Sequence, residues 1–106
     1  MEYNCCTHGI LPDMAVYRSL EVRAVYPFED KENGQFCESL PGIASKRLQL
    51  EDFLTEEESP AKLFFTVYGC FDDGEAEALH DESTLDQIMV VADELSKRFN
   101  LEVAVI

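Results

Sequence analysis

The most constraining feature of the sequence is the change of hydrophobic pattern along residues 62–106. Residues 62–71 (KLFFTVYGCF) are rich in strand-forming residues, and Asp73-Gly74 is typical of a two-residue type I′ turn, so residues 76–81 are expected to return as a second strand. Ser83 or Thr84 can then cap a helix. Its apolar stripe recurs every three or four residues, at Leu85, Ile88, Met89, Ala92, Leu95 and Phe99. Residues 101–106 (LEVAVI) indicate a last strand, parallel to the strand before the helix.

The predicted turn also predicts which hairpin residues share a face of the sheet. With Asp73 and Gly74 as the loop, Phe71 lies opposite Ala76, Gly69 opposite Ala78 and Val67 opposite His80. We expect that face, with Leu63 and Phe65, to be buried. The other face is mixed and is expected to meet solvent or a partner; it carries Thr66, Tyr68, Cys70, Asp72, Glu75, Glu77 and Leu79.

The first half of the chain predicts additional sheet. Apolar residues alternate along 16–28, and Pro27 indicates that this strand ends at a sheet edge. Asn33-Gly34 is a second type I′ signal, with residues 35–40 returning. Residues 44–58 are interpreted as a short helix ended by Pro60, although residues 47–51 also alternate like a strand. We therefore expect one domain over residues 1–106, an α+β two-layer sandwich whose mostly antiparallel sheet carries one or two helices on one face.

Negative charge is concentrated in the second half. The formal net charge is −14; residues 1–50 contribute −2, from 7 acids and 5 bases, and residues 51–106 contribute −12, from 15 acids and 3 bases. Nine acids and no Lys or Arg lie between Asp72 and Glu94. Such a surface repels nucleic acids and anionic membranes, and it attracts a basic protein.

Metal and catalytic motifs are weak. Cys5, Cys6 and His8 are the only local group of zinc-type ligands, but adjacent cysteines in a strand point to opposite faces and no C-x-x-C is present. The acids at 72–77 lack the ligand order of a calcium-binding EF-hand loop. No nucleophile elbow or phosphate-binding loop occurs, and Cys70 and His80 are expected on opposite faces. We therefore expect no enzyme activity and no cofactor.

The carboxylates themselves remain the best candidate for a functional surface. We predict a cytoplasmic, non-enzymatic protein that binds a basic, nucleic-acid-binding protein by imitating nucleic-acid charge, as phage- and plasmid-encoded inhibitors of restriction or CRISPR systems do. Tyr68, with Phe64, is the predicted apolar anchor. The binding residues are Asp72, Asp73, Glu75, Glu77, Asp81, Glu82, Asp86 and Tyr68. Three alternatives stay open: a metal or redox module on Cys5, Cys6 and His8, an oligomerising domain that pairs through 101–106 or near Pro27, and acidity that serves only solubility.

Overall fold

The computed structural model describes residues 16–30, 32, 34–54 and 58–106. Five strands and one α-helix lie in this part of the chain. In chain order they are β1 (Ser19–Asp30), β2 (Gly34–Ser39), β3 (Phe64–Cys70), β4 (Ala76–Glu82), α1 (Leu85–Phe99) and β5 (Val103–Val105). Two single turns of 3-10 helix, Leu50–Asp52 and Pro60–Lys62, lie between β2 and β3.

The strands form one five-stranded, mostly antiparallel sheet. Its order is β2-β1-β3-β4, and β5 pairs in parallel with the first part of β1, on the side that β2 occupies further along. The last strand therefore runs in the same direction as β4, as predicted. It pairs with β1, however, on the side away from β3, so the connection through α1 crosses both β3 and β1 before the chain rejoins the sheet.

The core lies between α1 and one face of the sheet. Ile88, Ala92 and Leu95 from the predicted stripe are fully buried. They pack with strand residues of the same cluster, Leu20, Val22, Val67 and Leu79. The helix begins as predicted, because Thr84 Oγ1 accepts a hydrogen bond from the Gln87 amide, and it ends at Asn100, whose φ of 55° is left-handed. A two-layer α+β fold with one helix on one face is thus confirmed.

The β3–β4 turn differs from the predicted two-residue loop. Phe71 and Glu75 pair through a 2.8 Å hydrogen bond, and the Gly74 amide donates to the Phe71 carbonyl at 3.1 Å. Residues 72–74 therefore form a three-residue loop, a type I turn closed by Gly74 at φ 90°. The Asp-Gly pair identified the place of the turn correctly and its type wrongly, because glycine serves the left-handed position of either loop.

The three-residue loop shifts the register of β4 against β3 by one residue, and a β-bulge further along β4 restores the predicted register. Cys70 pairs with Ala76, Gly69 with Glu77 and Tyr68 with Ala78, one residue away from the predicted register. The register shifts between Val67 and Tyr68, so Leu79 is the extra residue, and Val67 lies opposite His80 as predicted. Four face assignments were consequently wrong. Leu79 is fully buried in the core, and Glu77 lies on the α1 side, opposite Gly69. Ala76 and Ala78, which were expected on the buried face, lie on the other face, opposite Cys70 and Tyr68.

The predicted helix over 44–58 was also wrong for the described residues of that segment. The Gly42 carbonyl accepts from the amides of both Arg47 and Leu48, at 2.9 and 3.0 Å. Lys46 has a φ of 63°, a left-handed value that interrupts any helix. Tight turns therefore replace the helix, and only Leu50–Asp52 forms a 3-10 turn.

The β1–β2 hairpin agrees with the alternating pattern of the first half. Pairing of β1 with β3 stops at Val25, so Pro27 has a single neighbouring strand among the described residues, as predicted for an edge. Gly34, at φ 78°, is the first residue of β2 and pairs with Asp30. Asn33, the other half of the predicted turn, lies outside the described residues.

Candidate functional site

The seven predicted binding acids follow β4 from one end to the other. We call this set the acidic edge: Asp72, Asp73, Glu75, Glu77, Asp81, Glu82 and Asp86. β4 is the last strand of the sheet order. Its seven residues span about 20 Å, so the loop acids and Asp86 lie at opposite ends of the strand. The acids form a line along the strand, rather than one compact cluster.

Glu77 is held in place by a residue outside the sheet. The Tyr17 hydroxyl donates a 2.7 Å hydrogen bond to Glu77 Oε2. The Tyr17 ring is buried between Gly69, where an added Cβ would lie 2.6 Å from it, and Phe71, whose ring centroid is 5.1 Å away. The pKa of the Tyr17 hydroxyl is raised, mainly because the hydroxyl is removed from water. The hydrogen bond to Glu77 and the negative charge of Glu77 raise it further. The Glu77 carboxylate therefore has a fixed direction.

Asp81 and Glu82 are fixed by neighbours within the sheet. The hydroxyl of buried Thr66, directly opposite on β3, donates to Asp81 Oδ1 at 2.5 Å. Nε2 of buried His80 lies 2.8 Å from Glu82 Oε1. Because Asp81 shares a face with Thr66 and Glu82 shares one with His80, the two carboxylates project on opposite faces of β4.

The acids at the two ends of β4 are more exposed. Asp72, Asp73 and Glu75 all lie at the hairpin tip, where Asp73 Oδ1 accepts a 2.9 Å hydrogen bond from the Glu75 amide. Asp86 is exposed in the first turn of α1, where a negative charge interacts favourably with the helix dipole. These are the side chains that a partner would reach first.

Lys and Arg are scarce in the sequence around the acidic edge. No Lys or Arg occurs in the sequence between Lys62 and Lys97. Lys97 pairs with Asp93 on α1 at 3.0 Å, and Arg23 pairs with Glu21 on β1 at 2.8 Å. Both of these pairs lie off the acidic edge.

The predicted apolar anchors lie on the sheet face away from α1. Tyr68 is half-buried between Glu21 of β1 and Ala78 of β4, and Phe64 is half-buried opposite Val25. Tyr68 therefore shares a face with Asp81, but not with Glu77 or Glu82. The structure joins one of the predicted anchors to part of the acidic edge, and it places Phe64 further along β3.

Other chemistry finds little support in the part of the chain that the structure describes. No group of three or more His, Cys, Asp or Glu side chains there could hold a metal ion. The alternative ligands Cys5, Cys6 and His8 lie outside the described residues. Burial and the nearby Glu21 charge raise the pKa of the Cys70 thiol, which disfavours the reactive thiolate. His80 lies on the opposite face from Cys70, as predicted.

A groove of about 410 Å³ lies at the end of the sheet where β1, β3 and β5 meet, and its lining includes Arg18, Glu21, Cys70 and Glu102. It mixes both signs of charge, and at Gly74 it borders the hairpin tip of the acidic edge. Among the described residues, no helix has the length and apolarity needed to cross a membrane.

Sequence reasoning found the acids but missed Tyr17, Thr66 and His80, which hold them. The contact between His80 and Glu82 could have been predicted from the sequence, because residues two apart on a strand share a face. The contact between Tyr17 and Glu77 had no such signal, since it depends on the three-residue loop that places Glu77 opposite Gly69. The chain matches no protein-family model, and it has no significant match among curated protein sequences or among solved structures.

Proposed function

We propose that this chain is a non-enzymatic binding protein whose acidic edge occupies a basic, nucleic-acid-binding surface of another protein. Its most concrete form is an inhibitor of the phage or plasmid type, which competes with nucleic acid for a restriction, CRISPR or similar protein. The partner is defined by its chemistry, a surface of Lys and Arg side chains arranged to bind phosphates.

The observation that carries the proposal is the fixed direction of the central carboxylates. Glu77, Asp81 and Glu82 each accept a hydrogen bond from a buried or largely buried neighbour, namely Tyr17, Thr66 and His80 respectively. A charged group that is already oriented loses less side-chain entropy when it meets a cation. An acidic surface that served only solubility would not require this ordering.

The density of carboxylates along the acidic edge also resembles the density of phosphates along one DNA strand. With the tip and the start of α1 included, the acidic edge places seven carboxylates along roughly 30 Å, whereas one DNA strand presents about nine phosphates over that length, at ~3.4 Å each. A groove that follows one phosphate strand would therefore meet comparable charge. Tyr68, on the face that Asp81 shares, supplies apolar contact area beside it.

The test compares two doubly substituted proteins with the same net charge. Asp72→Lys with Glu75→Lys reverses two exposed acids at the tip of the acidic edge, and Glu51→Lys with Asp52→Lys reverses two exposed acids that lie outside both β2 and β4. Each is immobilised, with the wild-type protein, and exposed to the heparin-retained fraction of a nuclease-treated cell lysate. Captured proteins are then purified, and their affinities are measured with duplex DNA as a competitor.

We expect duplex DNA to compete with this protein for the purified partner. We also expect the affinity for the partner to fall at least ~tenfold on reversal of the tip acids, and much less in the matched control. Equal losses in the two double variants would mean that only net charge matters. A partner that DNA does not displace would contradict the imitation of nucleic acid.

A further inference from the structure

The described strands leave several sheet edges without a neighbouring strand, and most carry a feature that prevents pairing with another chain. Natural sheets protect such edges with charges, bulges, prolines or very short strands. The β4 edge has the Leu79 bulge and the charges of Glu77, Asp81 and Glu82. Beyond Val25, the free side of β1 contains Pro27, and β5 is only three residues long.

In the part of the chain that the structure describes, β2 has only one of these protections, a single charge. Its register with β1 continues unbroken from Val25 opposite Ser39 to Asp30 opposite Gly34, so the strand is regular over its full length. Its six residues, GQFCES, contain no proline and a single charge, Glu38. Every residue from Gly34 to Glu38 is exposed, including Cys37 and Phe36, whose exposed fraction is 45%.

The outward hydrogen-bonding groups of β2 can be identified from its register. The Leu40 amide donates to the Ala24 carbonyl at 2.8 Å, which places that pair among those that bond directly. Because bonding alternates along an antiparallel pair, Glu38, Phe36 and Gly34 bond to β1. The amides and carbonyls of Gln35, Cys37 and Ser39 therefore point away from the sheet.

We propose that β2 pairs with β2 of a second copy of this chain, antiparallel and about a two-fold axis at Cys37. The outward groups are symmetric about Cys37, so Gln35 meets Ser39 of the copy and Cys37 meets Cys37 of the copy. All three residues then find partners. Glu38 lies opposite the copy's Phe36, which keeps like charges from pairing directly.

The distribution of charge favours pairing of two copies through β2 over pairing through β4. In the joined sheet, the strand order is β4-β3-β1-β2 followed by its reverse. The two acidic edges are then seven strand spacings apart, about 34 Å, several times the ~8 Å Debye length at physiological salt. Two chains of net charge −14 can therefore associate at β2, whereas pairing at β4 would bring their acids together.

Sedimentation velocity over a wide concentration range, in excess reductant, tests the proposal. The wild-type protein is expected to form a dimer. Cys37→Pro removes an outward amide and no bond to β1, so we expect the dimer dissociation constant to rise at least ~tenfold. Cys37→Ser keeps that amide and should associate like the wild-type protein. A wild-type protein that stays monomeric, or a Cys37→Pro variant that associates equally well, overturns the proposal.

A second pair of variants decides the matter if Cys37→Pro does not fold. Cys37→Glu brings two like charges together at the two-fold axis, while Gln49→Glu adds the same charge at an exposed site off β2. Cys37→Glu should weaken the dimer at least ~fivefold relative to Gln49→Glu at moderate salt. Equal association of these two variants overturns the proposal. Because β2 and β4 lie at opposite sides of the sheet, this result is independent of the test of the acidic edge.

Discussion

Tyr17 and Glu77 are sixty residues apart in sequence, and the tyrosine hydroxyl donates a 2.7 Å hydrogen bond to the glutamate. This bond fixes the segment before β1 to the acid-bearing edge strand. The same tyrosine ring covers Gly69, so one side chain joins the packing of the sheet to the orientation of a predicted binding residue.

Tyr17→Phe should lower the free energy of unfolding by about 1–2 kcal/mol, because a partly buried hydrogen bond to a charged acceptor is lost while the ring remains. Urea unfolding measures the loss. In a Glu77→Ala background, the same substitution should cost much less. An equal cost in both backgrounds would show that the hydrogen bond does not stabilise the fold.

Alkaline pH should destabilise the protein through Tyr17. Its pKa is raised in the folded state, so above pH ~10 the unfolded chain loses this proton while the folded chain keeps it, and stability falls as pH rises. Tyr17→Phe should flatten this part of the profile. The fall that begins near pH 9, from the raised pKa of Cys70, should remain in that variant and disappear in Cys70→Ala. Unfolding curves across this pH range provide the measurement.

Gly69→Ala should cost about 1–3 kcal/mol, because the added Cβ would lie 2.6 Å from the buried Tyr17 ring. Removing the ring with Tyr17→Ala should make the same change at Gly69 much less costly. Chemical denaturation of the single and double variants measures this coupling, and additive losses would contradict the contact.

Thr84→Ala should cost about 1 kcal/mol, because Thr84 Oγ1 caps the Gln87 amide at the start of α1. Ser83→Ala is the matched control, since the Ser83 hydroxyl donates to the Gln87 side chain and caps no amide. Thermal unfolding followed by circular dichroism should show a larger decrease for Thr84→Ala. A larger effect at Ser83 would assign the cap to the wrong residue.

The periodic elements could be predicted because their signals are local. The three- and four-residue spacing from Leu85 to Phe99 depends only on α1 packing one face on the sheet, and the alternation along β1 depends on one buried sheet face. The capping by Thr84 and the basic last turn at Lys97 and Arg98 are local too. These parts of the fold were therefore identified correctly.

The register of β4 could not be predicted in the same way. Asp73-Gly74 is compatible with a two-residue or a three-residue loop, and the choice shifts the faces of Glu77 and Leu79. The bulge at Leu79 depends on the core that this side chain enters, and on the Tyr17 contact with Glu77, both of which involve distant residues. The acids of the candidate site could thus be named from the sequence, but their directions and partners could not.

The central claim is that the acidic edge binds a basic protein surface in place of nucleic acid. The most direct test is the affinity of a purified captured partner over a salt series, for the wild-type protein, the Asp72→Lys/Glu75→Lys variant and the Glu51→Lys/Asp52→Lys variant. We expect wild-type affinity to fall steeply with salt, and reversal of the tip acids to weaken binding at least ~tenfold more than the matched control at low salt. Affinity that does not change with salt, or equal loss in the two variants, would contradict the claim.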